Sequence, residues 1–387
     1  MKASHLVFSI LACTLLIAST GCGSVSMSAV NNPTITPSPT PTPASATAAS
    51  RFIFGITVFE TDTGYEGGII DRSGQVTPIT PFNDAGLGQN TVPQVIADPK
   101  GRFLYALNVG TQHGFDFNSP GIVQLQINQQ TGVLTRIAGS PLVFSQIHDG
   151  SLVIDPAGLF LYQANQGVFD VYLIDQTSGL LGPASSSTAA SLGNLSAIGS
   201  DGHFLFNANE TSVEALAIGA GGALTLIQPP IPTGNSVAGQ AEQLTVSSDN
   251  KFLYLLNRDN IAIFNISTTG TLSPVTGSPF ALEQGATGMG VTPDGRHLYI
   301  GFINPSGISV KGFTFDAAAS TVSPIPNAVL TDNAFSATID ASGEIAYVSE
   351  NKALSTYRID STTGSLNKLS QAAQPISEAS QSMVAVP

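Results

Sequence analysis

Apolar positions along most of the chain fall in short runs rich in β-branched and aromatic residues, each ending at a Gly, Pro, Asp or Asn turn. That pattern predicts strands, because a helix would need longer runs with apolar positions three and four apart. One run repeats almost word for word: RFLYALN from Arg102, LFLYQAN from Leu159, HFLFNAN from His203 and KFLYLLN from Lys251. Aligned on its second aromatic, the phrase recurs at Phe54, Tyr105, Tyr162, Phe206, Tyr254, Tyr299 and Tyr347. Seven copies at this period override the two or three domains that a length of 387 residues would suggest.

Each copy is preceded by a short apolar strand and a tight turn, as in VIADPKG from Val95, LVIDPAG from Leu152 and TIDASG from Thr338. It is followed by two more strands around a second turn, as in VYLIDQTSGLL from Val171 and STYRIDSTTGSL from Ser355. The unit is therefore four antiparallel strands. In the second strand Phe103, Tyr105 and Leu107 alternate with Leu104 and Ala106, so both faces are apolar and each sheet must lie between two others. These features predict an all-β seven-bladed propeller over 51–387. The segment SMVAVP from Ser382 matches QVIADP from Gln94 and supplies a first strand, whereas RFIFGIT from Arg51 is a second strand that lacks one. One blade is expected to be completed from both ends, leaving no open sheet edge and predicting a monomer.

The phrases DPKGRFLYALN, TPDGRHLY and NISTTGTLSPVTGSPF resemble the lactonase-type seven-bladed propellers, a family that includes bacterial 6-phosphogluconolactonase and the fungal carboxymuconate-lactonising enzyme. The resemblance covers 51–387, and the absence of Trp separates the chain from WD, kelch and tryptophan-docking propellers. It implies lactone hydrolysis without metal or cofactor, with a base to activate water and a cation to hold the oxyanion. His148, ahead of LVIDPAG, matches a family His, and the second His usual two places on is Gly150. Arg258 is retained in NRDNIAIF, and AGQAEQLTV offers Glu242 where the family often has Arg. The resemblance thus implies His148, Arg258 and Glu242 as catalytic residues. Each also has a plainer role available, as a solvated loop residue or a partner in a local ion pair.

Connections between second and third strands, and between blades, share one face of the disc and are longer than the turns opposite, so a ligand is expected there at the channel mouth. VGTQHGFDFNSPG after Asn108, SQIHDG before Ser151 and GPASSSTAASLGN after Leu181 are read as such connections. On that face second strands end at Asn108, Asn165, Asn209, Asn257 and Glu350, with His113 in a loop beyond. They form either a ring of binding groups or ordinary backbone caps at strand ends. His203 and His297 open second strands on the opposite face, and His spacing shows no zinc motif.

Composition adds the surroundings. MKASHLVFSILACTLLIASTGC has one Lys, an apolar run too short to span, and small residues before Cys22, which predicts a lipoprotein signal over 1–21 with Cys22 lipidated. Residues 22–50, rich in Pro, Thr, Ser and Ala, read as an extended tether. Asp and Glu total 26 against 13 Lys and Arg, which argues against nucleic acid and leaves the lipid as the sole membrane contact. The expected location is the bacterial cell envelope, periplasmic or on the outer membrane. Two functions stay open: hydrolysis of a sugar lactone or related small acid, and non-catalytic binding of a glycan, peptide or envelope protein.

Overall fold

The structure, a computed structural model, describes residues 52–58, 63–71, 76–79, 82–83, 94–108, 120–144, 150–165, 167–190, 193, 195–209, 211–234, 241–330, 333–350, 353–369, 374–375 and 383–386. The expected signal and tether, and the side chains of His113, His148 and Asn108, lie outside the described residues. No helix among the described residues is long and apolar enough to cross a membrane.

Seven antiparallel sheets form a ring. Their innermost strands are Gln94–Ala97, Leu152–Ile154, Leu195–Ile198, Ala241–Val246, Ala286–Val291, Ser336–Ile339 and Met383–Val386. The first six open blades 2 to 7, and the last completes blade 1 against Phe52–Val58, in the register Phe52↔Val386 to Gly55↔Met383. The split blade expected from the two ends is thus present. In five blades a two-residue strand pairs with the third strand beyond the fourth. One sequence reading needs correction: Ser185–Ala190, in the stretch expected to be a connection, is the outer strand of blade 3. Its Ser, Thr and Ala residues carry no apolar alternation. An outermost strand can do without one, since it packs against a neighbour on one edge only.

The seven second strands pack as their alternation demands. Phe103, Tyr105 and Leu107 of blade 2 meet Leu152, Leu161 and Tyr172 of blade 3. Leu104 and Ala106 meet Phe52 and Phe54 of blade 1 on the other side. Seven apolar clusters fill the seven spaces between blades. The repeated aromatic adds direction. The phenol of Tyr105 donates to Gly179 O of the following blade at 2.9 Å, Tyr254 to Gly295 O at 2.7 Å and Tyr299 to Gly364 O at 2.8 Å. Burial raises these phenol pKa values, so the groups stay protonated donors.

Most turns between first and second strands are closed by the side chain that follows the first strand, blade 4 having Gly199 there instead. The buried Asp98 carboxylate accepts from the N–H groups of Arg102 and Phe103, and Asp155 accepts from Leu159 and Phe160 at 2.7 and 2.6 Å. Blades 5 and 6 substitute hydroxyls, Ser247 accepting from Phe252 and Thr292 from His297, each at 3.0 Å. An anionic or hydroxyl acceptor here is what the recurring DPxG, SSDN and TPDG sequences encode.

Candidate functional site

The innermost strands surround a channel cavity of about 450 Å³. Its wall is braced by side chains rather than by a continuous ladder. The Gln94 amide donates to Leu152 O at 3.0 Å and accepts from Leu152 N at 2.6 Å, joining blade 2 to blade 3. Gln243 makes the same pair of bonds to Met289 O and N, at 3.0 and 2.7 Å, between blades 5 and 6. Ser151 Oγ accepts from Ser196 N at 2.7 Å between blades 3 and 4. These residues occupy equivalent strand positions, opposite Leu107 in blade 2 and Leu256 in blade 5.

Next to this bracing the ladder is interrupted. Ala241 pairs with Asn257 and Gln243 with Leu256, leaving Glu242 as an extra residue in a β-bulge. The following blade repeats the device, Ala286 pairing with Phe302 and Gly288 with Gly301, which leaves Thr287. A bulge re-aims the extra side chain without disturbing the strands on either side. Both Glu242 and Thr287 line the cavity, and Glu242 is the one charged group among its described lining residues.

Arg258 begins the turn after the second strand Phe252–Asn257, and its Nε donates to Glu242 Oε1 at 2.6 Å. The Arg258 carbonyl accepts from both Gly285 N and Ala286 N, at 2.8 and 3.0 Å, so the turn is fastened to the entry of blade 6. The Arg258 side chain is 57% exposed and Glu242 23%. That exposure makes the pair weak as a fold stabiliser and accessible to a ligand. The hydrogen bond donated to Glu242, and then the charge of that carboxylate, raise the pKa of the guanidinium.

Two of the three expected catalytic residues are therefore in contact, and the third, His148, lies outside the described residues. Gly150 is informative in its place. A Cβ there would lie 1.7 Å from Ala164 O, so this backbone admits no side chain where the family usually has its second His. The four expected binding residues whose side chains are described are not among the residues that line the cavity. Asn165 donates to Asp170 Oδ2 at 3.0 Å, and Asn209 Oδ1 accepts from Thr211 N and Ser212 N at 2.9 and 2.8 Å. The buried Asn257 amide donates to Asn260 Oδ1 at 2.8 Å. Glu350 accepts from the Tyr357 hydroxyl at 2.9 Å, with Lys368 Nζ at 3.4 Å. All four serve local turns and blade contacts. His297 is buried, its ring near Ser361 O and Thr314 Oγ1, each at 3.4 Å, and His203 is exposed beside Asp201. Thr287 and the two bracing glutamines were not singled out from the sequence, although Gln94 and Gln243 hold matching places in QVIA and EQLTV.

Residues 196–301, which include the Glu242–Arg258 pair, match the family model described as Lactonase, 7-bladed beta-propeller. Over those residues the propeller is similar to the lactonase type. Solved structures share its architecture along most of its length. The periplasmic gluconolactonase of Pseudomonas aeruginosa is 17% identical with a TM-score of 0.66, covering 88% of this chain and 100% of that one. A candidate 6-phosphogluconolactonase of Bacteroides fragilis is 17% identical with a TM-score of 0.63, covering 89% and 100%. Hydrazine synthase of Kuenenia stuttgartiensis, at 15% identity and a TM-score of 0.51, covers 76% and 89%. At these identities the likeness establishes the fold, which hosts more than one chemistry. No curated protein matches this chain significantly in sequence.

Proposed function

We propose that this lactonase-type propeller is an exported hydrolase that opens a sugar lactone or a related small lactone at the loop-face mouth of its channel. The observation that carries this reading is the contact between Glu242 and Arg258 at that mouth, a carboxylate and a guanidinium 2.6 Å apart and open to ligand. In the reaction Glu242 accepts a proton from water, whose oxygen bonds to the lactone carbonyl carbon. Arg258, released from Glu242, holds the oxyanion. Collapse breaks the ring C–O bond, and the proton passes to the departing alkoxide, giving the open hydroxy acid.

Acid release from a panel of unphosphorylated and phosphorylated aldonolactones, followed by pH-stat, tests this. Glu242→Gln is expected to lower kcat/KM by roughly 100-fold or more, and Arg258→Ala by roughly 100-fold. A wild-type chain inert on the whole panel, or variants as active as wild type, would overturn the assignment. A second reading, a non-catalytic module for a glycan, peptide or envelope protein, draws support from the missing side chain at Gly150 and from the engagement of Arg258 by Glu242.

The same proposal includes the export signal, the tether and the lipid on Cys22. Cys22→Ser is expected to move the protein from the detergent phase to the aqueous phase without changing its melting temperature. Equal partitioning of both forms would rule out the anchor.

A further inference from the structure

The geometry points to an uncharged, polyhydroxylated ring as the ligand of the channel mouth, with Glu242 as the residue that refuses phosphorylated and other anionic ligands. This deepens the lactone reading above and rests on it for the location of the site.

Recognition of a phosphate calls for a guanidinium or ammonium with free donors, and Arg supplies this best through its planar fork. At this mouth Arg258 already faces a carboxylate, with Nε engaged at 2.6 Å. A phosphate bound by Arg258 would lie beside the Glu242 carboxylate, and like charges at this range repel. Two further described cations are spoken for in the same way, Lys311 by Glu283 at 2.6 Å and Lys368 by Glu350 at 3.4 Å. A net charge of −13 adds to the barrier against anions.

What the mouth offers instead suits hydroxyl groups. Glu242 and Thr287 are the extra residues of two bulges in adjacent innermost strands, so a carboxylate and a hydroxyl are turned into one cavity from neighbouring blades. Ser151 and Ser196 stand in the same wall. Ser151 Oγ accepts the Ser196 N–H, which leaves its own O–H available to donate. A carboxylate that accepts, a threonine that does either and a serine that donates form a complement to a sugar ring. None of them carries the positive charge that balances a dianion.

Binding separates ligand class from catalysis, so the probe is a six-membered polyhydroxylated lactam, which does not hydrolyse, and its 6-phosphate. Both are titrated calorimetrically into the full chain. The neutral lactam is expected to bind roughly tenfold tighter than its phosphate. In Glu242→Gln the phosphorylated lactam is expected to gain roughly tenfold, as Arg258 becomes free to bind it. That gain should shrink as salt is raised, as an exposed charge contact requires. Thr287→Val, which keeps the side-chain shape, is expected to weaken the neutral lactam about fivefold. Phosphate binding as tightly as the neutral ring to wild type, no binding of either probe, or no gain by phosphate in Glu242→Gln would each overturn the inference. Selective lactam binding by a chain that hydrolyses no lactone would overturn the hydrolase reading and leave the ligand class standing. Hydrolysis with a preference for the phosphorylated lactone would do the reverse.

Discussion

A chain ending at Ala379 should lose its cooperative melting transition or show it at a temperature lower by more than roughly 10 °C. The strand removed, Met383–Val386, is only four residues long. It nevertheless completes blade 1 and touches the innermost strands of blades 7 and 2. Val386 is fully buried in the cluster formed with Phe52, Phe54 and Val95. Its removal costs about 1.5–3 kcal/mol of apolar burial before the lost ladder bonds, each about 1 kcal/mol, are counted. Phe52 to Gly55 would then present unpaired backbone along an open edge, an invitation to aggregate. Addition of a synthetic peptide spanning residues 380–387 should restore the transition. Unchanged melting of the shortened chain would show that ring closure contributes little.

The second large effect belongs to Gly150. Gly150→Ala should destabilise the protein by about 3 kcal/mol and lower its melting temperature by roughly 5 °C or more. The cause is steric, because the new Cβ would fall 1.7 Å from Ala164 O and the obstacle is main chain, which cannot rotate away. The prediction bears on the site, since Gly150→His, made to restore the family's second His, should destabilise as strongly instead of raising activity. A His variant that melts like wild type would mean that the entry to blade 3 shifts easily, and would reopen the position to chemistry. Thermal melts of both variants decide between these outcomes.

The architecture was legible because each blade must meet the same demand and writes it in the same residues. Phe54, Tyr105, Tyr162, Phe206, Tyr254, Tyr299 and Tyr347 are among the largest fully buried side chains, and the spacing of these seven counted the blades. The closing strand was legible for the same reason, as a first strand without a second. The site was less so. Glu242 and Arg258 stood out as charges at strand ends, but Thr287 looks like any other strand residue until its register is known. A bulge adds one residue to one strand and leaves no mark on composition or alternation. The amides were misleading in the opposite sense: Asn165, Asn209 and Asn257 recur at one repeat position, yet each is engaged by a local turn or a neighbouring side chain, although Asn257 Oδ1 stays buried without a partner among the described residues. Recurrence across blades reflects what every blade needs, whereas a ligand site in a ring needs residues that break the repeat, as Glu242 does.

Bracing of the channel wall carries a further consequence for assembly. Seven similar sheets in one chain run the hazard of docking out of order, since any apolar face accepts another. The contacts between innermost strands are of more than one kind: a Gln amide from blade 2 to 3 and again from 5 to 6, and a Ser hydroxyl from 3 to 4. From blade 6 to 7 the backbones come so close that a Cβ on Gly290 would lie 2.6 Å from Ala337 O. These seams therefore carry different addresses, two of them sharing one. A blade transplanted between seams of different kind should dock by its apolar faces and still fail to seat, because the receiving strand expects a different peg.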